Sequence, residues 1–393
     1  MSYSSTVFRQ MLQMVPQRQF AEAVAASGAN RYTKHFTAWI QFVVNLYAQA
    51  SGKKSLRDVE AGLRVQQSSW HHLGLKNVSR SQLAYVNRRR DSGLYQGLFY
   101  RMLNRCLKEA PRSQFRFNCP LRVIDSSLIR LCAGLFPWAR YRETKGALKI
   151  HTLLDLQGTI PSFVVITDGR QHDVKIARQL DRPLSPDSIL VVDKGYMDFG
   201  WFHDLHSRRI TFVTRAKECL HYKILGQQRA SRDRRLVSDQ TIQLIVWTSR
   251  QRYPDNLRLV TWHDDESDRT FTFLTNNFDL PAKTIAEIYK ARWEIEVFFK
   301  WIKQNLKIKT FLGTSPNAVM TQIWTALIYY LLLSYIKSQT RYTFTLLHFT
   351  RVIREALFLR TDIIALLKLR PNRFKLPREP DGQRLLFNLQ EFH

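Results

Sequence analysis

LRVIDSSLIR, residues 121–130, and SILVVDKGYMDF, residues 188–199, are built alike: a run of apolar β-formers delivers one carboxylate, Asp125 in the first and Asp193 in the second. Short apolar runs of this kind read as strands buried in a sheet. Between and after them lie ALKIHTLLDL (147–156), IPSFVVIT (160–167) and ITFVTR (210–215), with a helix-like stretch following His172. Three strands able to form hairpins, then a helix, a buried strand, a helix and another strand predict an α/β fold: a mixed sheet covered by helices.

That order of elements is the order of a ribonuclease-H-like sheet. Outward from it, residues 1–115 read as a helical domain, with apolar periodicity over Phe36–Ala50, a Gly52-Lys53-Lys54 break and a Ser55-x-x-Asp58 start signal. Asn77–Gln82 opens a further helix carrying Arg80, Tyr85, Asn87, Arg88, Arg89 and Arg90, a set suited to lying against a DNA groove. APRSQFRFNCP, 110–120, with prolines at 111 and 120, is the expected linker. The first part of the core then covers 116–218, and QTIQLIVWTS, LRLVTW and TFTFLTN mark a β-rich insertion over 219–278. A long helical pattern after Pro281 returns to the core over 279–340, breaking near Gly313 and Pro316, and 341–393 form a basic helical C-terminal region.

Sixty Lys and Arg against 32 Asp and Glu leave a formal charge of +28, spread along the whole chain. Such a surplus calls for a polyanion, and nucleic acid fits it better than an acidic membrane, which is usually met by one polybasic cluster. Cysteines 106, 119, 132 and 219 show neither zinc nor disulfide spacing. No signal-peptide pattern opens the sequence, so the expected location is the cytoplasm, on the nucleoid. AVMTQIWTALIYYLLLSYI, 318–336, approaches the length of a membrane span, but Thr321, Gln322, Thr325 and Ser334 interrupt it and favour a buried core helix.

The chemistry gathers in YKARWEIEVFFKWIKQNL, 289–306. At 100° per residue, Tyr289, Arg292, Glu296, Lys300 and Lys303 fall within roughly an 80° arc, beside an apolar stripe of Ile288, Ala291, Ile295, Phe298, Phe299, Ile302 and Leu306 that would dock the helix on the sheet. Three carboxylates on separate elements suit hard cations such as Mg²⁺ (or Mn²⁺), and two such ions serve phosphoryl displacement. Arg292, Lys300 and Lys303 are placed for DNA phosphates. Asp155, Asp168 and Asp173 read as structural, as do His151 and His172.

Tyr289, Arg292, Glu296 and Lys303 reproduce the Y-x2-R-x3-E-x6-K signature, and the chain thereby resembles DDE transposases of the insertion-sequence-four family. The resemblance extends to Asp125-Ser126-Ser127, Asp193-Lys194-Gly195-Tyr196, FVTRAK at 212–217 and LTNN at 274–277; Lys194 stands where the family commonly has arginine. It implies that Asp125, Asp193 and Glu296 form the metal-binding acidic triad of a cut-and-paste enzyme. It also implies a homodimer pairing two inverted-repeat ends, target DNA as second substrate, and in one branch a hairpin intermediate. Trp247 and Trp262 are the insertion's candidates for stacking a flipped base. A transposase-derived DNA binder without catalysis and a structure-selective nuclease on the same fold stay open as alternatives.

Overall fold

The computed structural model describes residues 5–109, 119–132, 134–142, 145–156, 160–228, 233–305, 311–340, 342 and 344–368; most of the expected linker, residues 229–232 of the insertion, Leu306 and the last 25 residues lie outside this set. Seven helices come first: α1 (Val7–Gln13), α2 (Gln17–Ser27), α3 (Ala38–Ser51), α4 (Leu56–Val65), α5 (Trp70–Leu73), α6 (Arg80–Arg89) and α7 (Gly93–Glu109). Thr37, Ser55 and Ser79 begin α3, α4 and α6, each accepting through its side-chain oxygen a backbone N–H three residues on, which satisfies a donor that the helix leaves unpaired. Gly52 closes α3 at φ 71°, a region glycine enters without steric cost, so the break falls where expected.

Strands follow: β1 (Leu121–Leu131), β2 (Arg140–Arg142), β3 (Lys145–Asp155) and β4 (Ile160–Asp168), then α8 (Asp173–Leu180), β5 (Ile189–Val192), α9 (Phe199–Ser207) and β6 (Thr211–Arg215). The sheet runs β4-β3-β1-β5-β6. β1 is antiparallel to β3 and β3 to β4, whereas β1–β5 and β5–β6 are parallel. This is the ribonuclease-H-like arrangement. β7 (Tyr222–Gln227), β8 (Leu236–Leu244), α10 (Trp247–Arg252), β9 (Leu257–Asp264) and β10 (Arg269–Thr275) make up the β-rich stretch. It extends the same sheet, because β10 pairs antiparallel with β6 and β9, β8 and β7 continue outward.

Alternation along the strands sorts side chains between two faces. Ile124, Leu190, Val192, Phe212 and Leu274 pack under α8 and α9 in one core. Val123, Ile189, Val191, Val213 and Phe273 point the other way, into a second core shared with α11 (Ala282–Lys290), α12 (Trp293–Asn305), α13 (Pro316–Thr340) and α14 (Leu346–Ala356), and with the N-terminal helices. A last helix, α15 (Ile363–Lys368), packs Ile363 and Leu367 into it. The apolar run is the body of α13, the one helix among the described residues long and apolar enough to cross a membrane, and 78% of that window is buried. Trp324 of α13 sets its ring 5.4 Å from Phe99 and 6.1 Å from Tyr100 of α7, so helices from the two ends of the chain close one core.

Two expectations are corrected here. Arg90 is only 7% exposed: its guanidinium donates to the carbonyls of Ala29 and Phe36 and to Gln41 Oε1, and Asn87 is bonded to Gln41 and Asn45. A buried guanidinium with its donors engaged is a structural cross-link, not a DNA contact. The expected continuous helix after Pro281 is instead two helices, parted by a turn at Ala291–Arg292 in which the Arg292 N–H bonds back three residues to Tyr289 O.

The start of α11 is held by a buried pair. Arg258 on β9 meets Asp239 on β8 through two bonds, 2.8 and 2.7 Å, with side chains 4% and 6% exposed, and its remaining nitrogen reaches the carbonyls of Asn277 and Leu280 just before α11. Asp239→Ala strands that guanidinium and should cost about 3–5 kcal/mol in chemical denaturation; a loss below about 1 kcal/mol would show that the pair does not hold this joint.

Candidate active site

Register places the first two acids. β1 and β5 are parallel neighbours with Ile124 opposite Val192, so the next residue on each, Asp125 and Asp193, leaves the sheet side by side. Both follow residues of the second face, Val123 and Val191, and therefore open towards α12. Asp125 Oδ1 accepts the Ser126 N–H at 2.7 Å, and Asp193 Oδ2 accepts Gly195 N–H at 3.2 Å in the turn that follows.

α12 supplies the third. Ile295, Phe298, Phe299 and Ile302 are buried as the apolar stripe requires, leaving Glu296 beside the strand ends. Arg292 joins the parts: Nη2 lies 2.5 Å from Glu296 Oε1 and Nη1 lies 3.7 Å from Asp125 Oδ2. Burial, above all, pushes the Asp125 carboxyl up to about 6; Asp193 and Glu296 push the same way, while the Ser126 N–H and Arg292 oppose them. Among the described residues, no three His, Cys, Asp or Glu side chains close on one point as a finished metal cage. The donor set is nonetheless all oxygen, drawn from separate elements, and its mutual repulsion is what a hard divalent cation relieves. Tyr289 Oη and Arg292 Nε are buried there without a hydrogen-bond partner, so the site has more donors than the protein itself engages. Burial pushes the Tyr289 hydroxyl up to about 12 and that of Tyr196 further, so both stay protonated.

The remaining residues separate by exposure. Lys300 and Lys303 are exposed on α12. Arg80, Arg88 and Arg89 are exposed on α6, where the Arg89 guanidinium lies 5.8 Å from the Tyr85 ring centre. Trp247 is 69% exposed, and it opens the helix α10 instead of lying in a strand. Trp262 is corrected: it is 6% exposed on β9, with Arg235 5.0 Å over its ring, which leaves it no open face for a base.

Arg215 is not singled out by sequence pattern, although FVTRAK carries it. On the face of the acids, Arg215 stands 5.0 Å over Phe271, the Phe273 ring packs tilted at 5.0 Å from Tyr289, and Arg292 lies 5.6 Å over Tyr289. Arginine and aromatic side chains thus lead from the inserted strands to the acids. Trp293, 63% exposed beside Arg292, escapes sequence reasoning because it belongs to neither the polar arc nor the apolar stripe.

The family model described as the transposase DDE domain matches residues 119–332, from β1 to the middle of α13, and so takes in all three acids. The chain belongs to the DDE transposase family. A Sinorhizobium fredii protein described as a transposase is 34% identical over 290 residues, 72% of this chain and 79% of that one. A Geobacillus stearothermophilus protein described as the transposase of an insertion sequence element is 33% identical over 242 residues, 61% of this chain and 62% of that one. A cryo-EM structure of the piggyBac transposase synaptic complex with hairpin DNA covers 97% of this chain and 85% of that one at 12% identity, with a TM-score of 0.44. A second model, described as a domain of unknown function, matches residues 3–76. DDE transposases in general depend on divalent metal.

The raised Asp125 carboxyl sets a pH dependence. A group held up in the fold contributes stability that is present below its unfolded value of 3.8 and is lost as pH rises through about 6. In chelator, Asp125→Asn should therefore melt above wild type at pH 8, with the gap closing as pH falls towards 4; a variant less stable at pH 8 would show that ionised Asp125 is not under strain.

Proposed function

We propose that this transposase binds the inverted-repeat ends of its own insertion sequence as a homodimer, cuts them and joins them to target DNA. Each end is nicked by water, and the freed 3′-hydroxyl then attacks a second phosphodiester, either in the opposite strand, giving a hairpin, or in the target. The observation that carries this reading is the emergence of Asp125 and Asp193 from neighbouring parallel strands onto the face where α12 presents Glu296. Asp125, Asp193 and Glu296 would hold Mg²⁺ or Mn²⁺, two ions for choice, which supply an activated oxygen nucleophile and charge neutralisation at the leaving oxygen.

The chain's own residues do the rest. Arg292 balances Asp125 and Glu296 and, released from them, is free to pair with a phosphate beside the cleaved bond. Tyr289 Oη has a proton to donate and no partner, so it suits a phosphate oxygen at the same place. Arg215, Lys300 and Lys303 extend the positive surface along the incoming strand, and Arg80, Arg88 and Arg89 on α6 lie against the duplex. The place of action in this reading is the cytoplasm, on the nucleoid, with no membrane partner.

Incubation of labelled element-end DNA with Mg²⁺ or with chelator tests the chemistry. Wild type should nick it only with metal, and Glu296→Gln and Asp193→Asn should bind it normally while losing about a thousandfold or more in cleavage. Cleavage retained by Glu296→Gln removes the third ligand, and specific binding without cleavage in Mg²⁺ and Mn²⁺ favours a binder that lacks the chemistry. For α6, Arg88→Ala with Arg89→Ala should weaken binding to all sequences and reduce the slope of log affinity against log salt by about 1 for each phosphate no longer neutralised. Arg90→Ala should instead lower the melting temperature, with the salt slope of its folded fraction unchanged.

A further inference from the structure

Asp125 and Ser126 are successive residues of β1, so their side chains leave opposite faces of the sheet. Ser126 is opposite His151 of β3 and points towards α8. There its hydroxyl donates to Asp173 Oδ1 at 2.6 Å, while Lys149 Nζ meets the other oxygen at 3.2 Å. His151 is 1% exposed, with Nδ1 3.5 Å from Asp173 and Nε2 3.0 Å from Thr167 Oγ1. Burial pushes that imidazole down to about 4, so at neutral pH Lys149 is the cation that balances Asp173. Asp173 is the first residue of α8, but its carboxylate reaches back to the sheet.

The consequence lies on the other face. The Ser126 N–H that donates to Asp125 Oδ1 belongs to the residue whose hydroxyl Asp173 holds. We propose that Asp173 is a positioning residue for Asp125: through Ser126 it fixes the peptide whose N–H occupies Oδ1, leaving Oδ2 directed at the cation site. This rests on the reading of Asp125 as a metal ligand and adds a carboxylate that acts on it from behind the sheet without touching metal or DNA. The arrangement spares Asp125 a search among rotamers, the contribution outer partners make at metal sites, where their loss costs about 10–100-fold in affinity.

Mn²⁺ binding to the full chain, followed by titration calorimetry without DNA, tests this apart from activity. Asp173→Ala should weaken Mn²⁺ by about tenfold or more. Because Asp173→Ala also leaves Lys149 unbalanced, Ser126→Ala is the cleaner partner: it should weaken Mn²⁺ equally with an unchanged melting temperature, and the double variant should be no worse than either single one. Asp173→Asn, which keeps an oxygen for the Ser126 hydroxyl, should bind close to wild type. Wild-type affinity in both Asp173→Ala and Ser126→Ala overturns the inference, while loss of binding in Asp125→Asn keeps the metal reading intact. If Asp125→Asn binds as wild type does, the metal reading itself fails and the positioning role goes with it.

Discussion

Parallel pairing of β1 with β5 is the constraint on which the site depends. Parallel strands need a long crossover, and here it carries β2, β3, β4 and α8 before the chain returns at β5. Once Ile124 lies opposite Val192, both strands reach their carboxylates at the same height and on the same face. A slip of one residue would turn Asp193 into the core under α8 and α9, among Leu190, Val192 and Phe212. The apolar runs that end on Asp125 and Asp193 therefore do two tasks: they bury the strands, and they prevent the slip that would separate the acids.

Such placement has an electrostatic cost. The displacement of the Asp125 carboxyl from 3.8 to about 6 corresponds to about 3 kcal/mol held against ionisation, in a fold whose net stability is of the order of 10 kcal/mol. Arg292 offsets part of it, bridging Asp125 and Glu296 from one guanidinium. The buried hydroxyl of Tyr289 has no hydrogen-bond partner beside the acids, an under-satisfied polar group in an otherwise packed surround. Preorganised, under-satisfied polar groups of this kind are where function is expected to set sequence against stability.

What was legible in the sequence was local. The Asp193 carboxylate at its strand end, the helix starts at Ser55 and within Asn77–Gln82 and the stripe that docks α12 follow from patterns a few residues long, and the structure repeats them, whereas β1 runs on past Asp125 to Leu131. Arg90 was not legible, because its burial depends on Ala29, Phe36 and Gln41, about 50 to 60 residues earlier in the chain. Nor was the pairing of β10 with β6, which joins the inserted strands to the core sheet, since no short-range rule selects one edge among several. Asp173 looked like a helix-start acid by its place before an apolar periodic run; only Lys149 and Ser126, brought by β3 and β1, reveal a different partner set.

The turn at Ala291–Arg292 explains why the spacing of Tyr289, Arg292 and Glu296 is what it is. α11 packs on β6, β8, β9 and β10, whereas α12 packs on β1 and α13. A single straight helix would have to satisfy both surfaces along one line. With the turn, Tyr289 stays with the outer strands, packed against Phe273, and Glu296 stays on the helix that packs on the strand carrying Asp125. Arg292 sits at the joint, touching the ring of one and the carboxylate of the other. Whatever draws Arg292 from Glu296 also draws it from Asp125, and disturbs its packing on Tyr289. The three signature residues therefore stand at the junction of the outer strands of the sheet and the acids, joined through a single guanidinium.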